Sequence, residues 1–268
     1  MKITSLMQLT AAATFAFTLT GAELAPAKPA DFLFGNRLTE KDGVLSVSKS
    51  SDFYSKNRLD INTAKRYRLS GEFRQTAGNG TGIVKFGVIP STCQRQIIPA
   101  SINVCPGTET ELTADCKSTD TVIKVKDASK WSSTALDRVV FDVDPSGKMR
   151  DLPNFNISKS AVKSIVKKAD HYEITLAAPC GNNFAAGTPV REQRIGWIAM
   201  FCCGANNKLT TQWKKLSHTF ETGTVAKDNI FRWWQGTEKA CVYMYLNVPA
   251  GQSIEFRNIK LEELPDTK

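Results

Sequence analysis

The sequence predicts an all-β sandwich. Two observations carry that expectation. Short segments alternate apolar and polar residues between turn signals, the mark of strands buried on one face. No stretch holds the 3.6-residue period of an amphipathic helix over an ordinary helix length. The composition permits such a fold: 268 residues, 41% hydrophobic and 23% charged, can build a core without relying on metals or disulfides.

The chain opens MKITSLMQLTAAATFAFTLTGAELAPAKPA. A positive start at Lys2, an apolar run to about Leu19 and the small residues Thr20, Gly21 and Ala22 follow the plan of a secretory signal peptide over residues 1–22. The alternative, a membrane anchor, needs roughly 20 mostly apolar residues, and this run is too short and too rich in threonine. LTGA resembles the end of a lipoprotein signal, but Ala22 stands where the lipidated cysteine would be. The expected product is secreted, periplasmic or on the cell surface, with no membrane attachment after cleavage.

Residues 25–30 (APAKPA) read as a lead-in. Residues 67–74 (YRLSGEFR) and 83–89 (IVKFGVI) alternate as strands around QTAGNGTG, a hairpin loop. This glycine-rich loop follows no βα unit, so it is not a phosphate loop. Short strands follow at 121–126, 138–143 and 172–176, with a DPSG turn at 144–147. Residues 158–168 read equally as a short helix or a further strand. Strand texture returns at 195–201, 213–220, 240–248 and 253–264.

Three phrases together resemble a known family. YRLSGEFR early, WKKLSHTF late and AGQSIEFRNIKLEEL at the end are similar to the jelly-roll carbohydrate-binding modules of the family 4/9 type, among the galactose-binding-like sandwiches. Phe256, Asn258, Ile259 and Leu261 fit the "F-x-N-I-x-L" phrase of the closing strand. The resemblance implies a jelly-roll sandwich over residues 23–92 and 195–268, with residues 93–194 as a β-rich insertion or second subdomain. Modules of this kind carry an acidic residue before the Asn-Ile, where it helps hold a structural calcium. Arg257 stands there, so no cofactor is expected; a structural calcium held by oxygen ligands from elsewhere is the alternative, with no residues singled out for it.

Such modules bind glycans on a sheet face, which turns attention to residues 231–247, FRWWQGTEKACVYMYLN. Sugars offer apolar C–H faces to aromatic rings and hydroxyls to planar polar groups. Val242, Met244, Leu246 and Val248 form an apolar row that must face the core. Cys241, Tyr243, Tyr245 and Asn247 then share the opposite face. The expected ligand-binding residues are Tyr243, Tyr245 and Asn247, with one ring from Trp233 or Trp234, and Arg232 or Gln235 bonding hydroxyls. The alternative is that the insertion covers this face and buries the tyrosines with their hydroxyls bonded. Trp197, which alternates with Ile195, Ala199 and Phe201, is expected in the core, and the resemblance implies the same of Trp213.

Other signals narrow the function. The formal charge of +9 falls only to +8 when Lys2 leaves with residues 1–22. Lysines and arginines stand singly or in short pairs, with no basic arm for nucleic acid. A solvated basic surface is the first reading; an anionic glycan or cell surface is the second. The cysteines are Cys93, Cys105, Cys116, Cys180, Cys202, Cys203 and Cys241. Secretion makes Cys93, Cys105, Cys116, Cys180, Cys202 and Cys203 disulfide candidates, and the odd count leaves at least one thiol free or paired between chains. A local bridge among Cys93, Cys105 and Cys116 is expected, while the adjacent Cys202 and Cys203 do not pair. No nucleophile elbow marks a catalytic site, and His218 reads as a satisfied core or edge histidine. The leading expectation is a secreted, non-catalytic carbohydrate-binding protein. The alternatives are a structural or adhesive surface protein and a polysaccharide-active enzyme.

Overall fold

The structure is a computed structural model that describes residues 21–196, 198–225 and 229–266. The signal-peptide pattern therefore lies almost wholly outside the described residues, as does Trp197. The chain forms an all-β sandwich. Its strands are β1 (Val44–Val47), β2 (Ser51–Ser55), β3 (Tyr67–Gln75) and β4 (Ile83–Ser91), then, after a long excursion, β10 to β14. The excursion contains β5 (Val122–Val125), β6 (Asp137–Phe141), β7 (Val162–Lys167), β8 (Tyr172–Leu176) and β9 (Pro189–Arg194). The chain then returns through β10 (Asn207–Lys208), β11 (Lys214–Val225), β12 (Arg232–Trp234), β13 (Lys239–Asn247) and β14 (Ile254–Glu263).

The first sheet runs β12-β11-β3-β14-β1 and the second β10-β4-β13-β2, each extended by short edge strands. Successive long strands alternate between the sheets, and the chain re-enters the second sheet at β10. That winding is a jelly roll. Long strands form because each supplies one apolar face: Leu69 and Phe73 from β3, Val84, Phe86 and Val88 from β4, and Val242, Met244 and Leu246 from β13 are fully buried in one cluster. At its centre Phe32, Phe53, Phe73, Phe86 and Phe256 meet at centroid distances of 5.0–6.3 Å.

The closing phrase has a backbone reason. The β3–β14 register shifts between Arg257 and Lys260, and Asn258 takes φ 54°. Asparagine tolerates that left-handed conformation better than most residues, and it makes a bulge. The bulge drives Ile259 over Gly71. A Cβ on Gly71 would lie 2.6 Å from Ile259 Cδ1, so only glycine leaves the room.

The excursion builds two three-stranded sheets, β5-β8-β7 and β6-β9 with Thr110–Glu111 at its edge. Residues 158–168, ambiguous in sequence, contain strand β7. A separate cluster lies between these sheets, with Ile123, Val125, Val139, Phe141, Ile174 and Val190 buried. Trp131 joins it and donates its Nε1–H to the Thr108 carbonyl at 2.8 Å. Ile98, Ile102, Val104 and Leu152 instead belong to the sandwich's own core cluster.

One expected strand is missing. The described residues of 195–201 give no regular strand, and Met200 makes an isolated bridge to Val88. The Cys202 N–H then bonds the Met200 carbonyl two residues back, which turns the chain instead of extending it.

Candidate functional site

The alternation of β13 divides its side chains as its sequence dictates. Ala240, Val242, Met244 and Leu246 enter the sandwich core, while Cys241, Tyr243 and Tyr245 pack in a separate small cluster on the outer face. Register decides their neighbours. Tyr243 lies between Tyr54 of β2 and Gly87 of β4, and Tyr245 between Asp52 and Lys85. The sequence of β2, SDFYS, puts Asp52 and Tyr54 outward by the same period of two.

These neighbours assemble a row of rings. The Tyr54 and Tyr243 centroids are 5.0 Å apart, and Phe201 stands 5.6 Å from Tyr243 on the other side. Phe34 continues the row, 6.2 Å from Tyr54. The Lys85 ammonium lies 5.6 Å from the Tyr245 ring and 5.8 Å from Phe201. At the other end the Arg37 guanidinium sits 5.0 Å over Phe34 and donates to Ser51 Oγ at 2.6 Å.

Phe34 is 49% exposed, at φ 61°, ψ 20°. A bulky residue in the left-handed region is strained, and such strain persists where the surrounding structure enforces it. Here it turns an apolar ring outward beside a shallow groove of about 430 Å³ lined by Pro29, Leu33, Phe34 and Lys56.

The tyrosines are not equivalent. Tyr243 is only 6% exposed, and its hydroxyl donates to Asp52 Oδ1 at 2.5 Å. Burial, then the bond to Asp52, pushes its phenol well above the ordinary tyrosine range, so it stays protonated. Tyr245 and Tyr54 are half-buried. Asn247 is exposed, and its Oδ1 accepts from Ser50 Oγ at 3.1 Å. What covers Tyr243 is Phe201 and its surroundings. Ala199, Phe201 and Ile97 share its cluster, whereas the core residues of the excursion do not. Gly87 makes this cover possible, because a Cβ there would lie 2.0 Å from the Met200 carbonyl oxygen.

The tryptophan pair does not join the row. Arg232, Trp233 and Trp234 pair with β11 at the edge of the first sheet. Trp233 is fully buried, stacked on Phe220 at 4.1 Å and edge-on to Tyr67 at 5.8 Å. Trp234 is 9% exposed and donates Nε1–H to the Asn229 carbonyl at 3.0 Å. Both rings belong to the core cluster. Neither ring is left exposed on this short edge piece, which a turn follows. Arg232 and Gln235 are exposed but travel with this edge, not with the tyrosines.

Trp213 corrects another expectation. It is half-buried on the first sheet's outer side, with the guanidinium carbons of Arg257 at 4.2 Å and Arg74 at 4.5 Å from its ring centroid. Arg257 also donates to Glu72 Oε2 at 2.7 Å. Among the described residues, no group of three His, Cys, Asp or Glu side chains is placed to hold a metal.

None of the seven cysteines is joined to another in the structure. The expected local bridge is absent because its three members face different neighbours. Cys93 meets Glu238, Cys105 meets Glu192, and Cys116 meets Cys180. His218 is 9% exposed, with Nε2 2.6 Å from the Ile230 carbonyl oxygen, and burial lowers its pKa. Two buried carboxylates, Asp137 and Glu192, converge on Ser132 Oγ at 2.8 and 2.7 Å. Asp137 is further held by Arg194 and the Thr134 N–H, and Glu192 by the Ser132 N–H. Both oxygens of Asp137 and the Oε1 of Glu192 are engaged by protein donors, as in a structural network.

No protein-family model matches the chain, and no curated protein matches it. Among solved structures, a chain from Parabacteroides distasonis ATCC 8503, described as a proposed glycosyl hydrolase, aligns over 88% of this chain and 94% of its own at 12% identity and a TM-score of 0.27.

Proposed function

We propose that the protein binds a glycan on the outer face of the second sheet and performs no chemistry on it. One observation carries this reading: the row Phe34–Tyr54–Tyr243–Phe201, with Tyr245 beside it, lies on the face that the jelly-roll register leaves outside the core. Phe34, Tyr54 and Tyr245 supply ring surface for sugar C–H faces. Asp52 and Asn247 supply acceptors for hydroxyls. Tyr243 serves as the anchor that holds Asp52 in place, not as a stacking surface. Lys85 and Arg37 put positive charge at the two ends of the row, which with the net +9 favours an anionic polysaccharide. The signal-peptide pattern of residues 1–22 supports a ligand met outside the cytoplasm.

A glycan array tests the reading, with the Phe34→Ala/Tyr245→Ala variant as control. Binding that the variant retains unchanged sinks the site. Release of sugar from a bound polysaccharide by the purified wild type would favour the enzyme reading instead.

A further inference from the structure

We infer that Cys116 and Cys180 are the partners of a disulfide that clamps the excursion between β4 and β10. The two loops that carry them run antiparallel and are already tied by backbone. Cys116 and Phe184 exchange both N–H···O=C bonds at 2.8 Å, Gly181 N–H bonds the Ser118 carbonyl at 2.8 Å, and Cys180 N–H bonds the Asp120 carbonyl at 2.8 Å. Ser118 N–H also bonds Asn183 Oδ1 at 2.7 Å. Cys116 and Cys180 are 3% and 2% exposed and lie in the same apolar cluster. The Cys180 thiol lies near enough to Cys116 to raise its pKa. Two cysteines buried in one cluster on loops already paired through their backbones are placed to bond. No other cysteine lies in that cluster.

The chemistry balances with a low-molecular-weight disulfide as oxidant, such as oxidised glutathione. The Cys116 thiolate attacks one oxidant sulfur, forming a mixed disulfide and expelling a thiolate. The Cys180 thiolate attacks Cys116 Sγ, forming the protein S–S bond and expelling the second thiolate. The two protons lost by the protein thiols end on the two released small thiols. The protein is oxidised by two electrons and the oxidant reduced by two. Burial, then the neighbouring Cys180, pushes the Cys116 thiol up to about 12, so the closed core holds little thiolate. Oxidation therefore belongs to folding, before the cluster closes.

The test is oxidative refolding of the full chain in a glutathione buffer, then alkylation in denaturant and non-reducing peptide mapping. The expected product is a Cys116–Cys180 cross-linked peptide that dithiothreitol splits. The Cys116→Ser variant should leave Cys180 alkylated and lower Tm by roughly 5–10 °C, the scale for opening a loop of this length in a chain of this size. Alkylation of both residues in the refolded wild type overturns the inference. So does a cross-link from Cys116 to Cys93 or Cys105. The wild-type map decides the matter even where the variant does not fold.

Discussion

On the outer side of the first sheet, Arg74 stands opposite Glu255, Glu72 opposite Arg257, and Arg68 opposite Glu262. Each pair is in contact, at 2.5, 2.7 and 2.6 Å. On the outer side of the second sheet, the corresponding cross-strand neighbours are Tyr54 and Tyr243, then Asp52, Tyr245 and Lys85. Both faces use the same alternation, and both inner faces fill one aromatic and aliphatic core. The first face satisfies itself with charges across the strands, and Trp213 is pinned between two guanidinium groups. The second keeps apolar rings beside solvent, including one at a strained, left-handed residue. A sheet face finished with ion pairs needs no partner. A ring row left half-exposed has surface to offer one.

The first way to break this contrast is to remove its buried anchor. Tyr243→Ala should cost about 3–5 kcal/mol, as other deletions of buried aromatic side chains do, read as a lower denaturant midpoint at unchanged slope. A loss under ~1 kcal/mol would mean that Tyr243 is available for stacking after all. Tyr243→Phe isolates the hydroxyl bond to Asp52 and should cost about 1–2 kcal/mol.

Exposed rings should separate binding from stability. Phe34→Ala is expected to weaken binding of the array-selected glycan about tenfold or more, measured by titration calorimetry, with stability changed by about 0.5 kcal/mol or less. Replacing Phe34 with glycine should relieve the φ 61° strain and still lose the ligand. Equal losses of stability and binding would make the ring structural.

Mutating the charged face should do little to either property. Arg68→Met, breaking the pair to Glu262, should cost under ~1 kcal/mol and leave glycan binding unchanged, since exposed ion pairs are weak. A binding defect there would move the site to the first sheet.

The smallest effect is expected from His218. Burial depresses its folded pKa below 6.5, so the unfolded chain binds the proton more readily. Its contribution is complete above the unfolded value and is lost as pH falls through about 6.5 towards the lower folded pKa. Denaturation between pH 7 and 5 should show this slope in the wild type and a flatter one in His218→Gln.

The legible part of the molecule is the part governed by period two. The alternation of residues 240–248 assigned Val242, Met244 and Leu246 inward and Tyr243 and Tyr245 outward, and the burial follows it. The same rule applied to SDFYS would have found Asp52 and Tyr54. Phe34 carried no such signal, because a turn residue's exposure depends on backbone conformation and not on periodicity. Trp213 is expected in the core because it leads the phrase WKKLSHTF, as in the modules that phrase resembles, yet it lies one residue outside the strand, where guanidinium groups cover it.

By itself the sequence determined the fold class, the jelly-roll phrases and the two faces of each long strand, since these depend on neighbours a few residues apart. Only the tertiary structure decided what lies against those faces. Phe201 reaches Tyr243 because Gly87 leaves room for the Met200 carbonyl. Trp233 finds Phe220, and Cys116 finds Cys180 instead of its near neighbours in sequence. Those contacts join segments far apart along the chain, and no local pattern records which distant segment returns to cover a face.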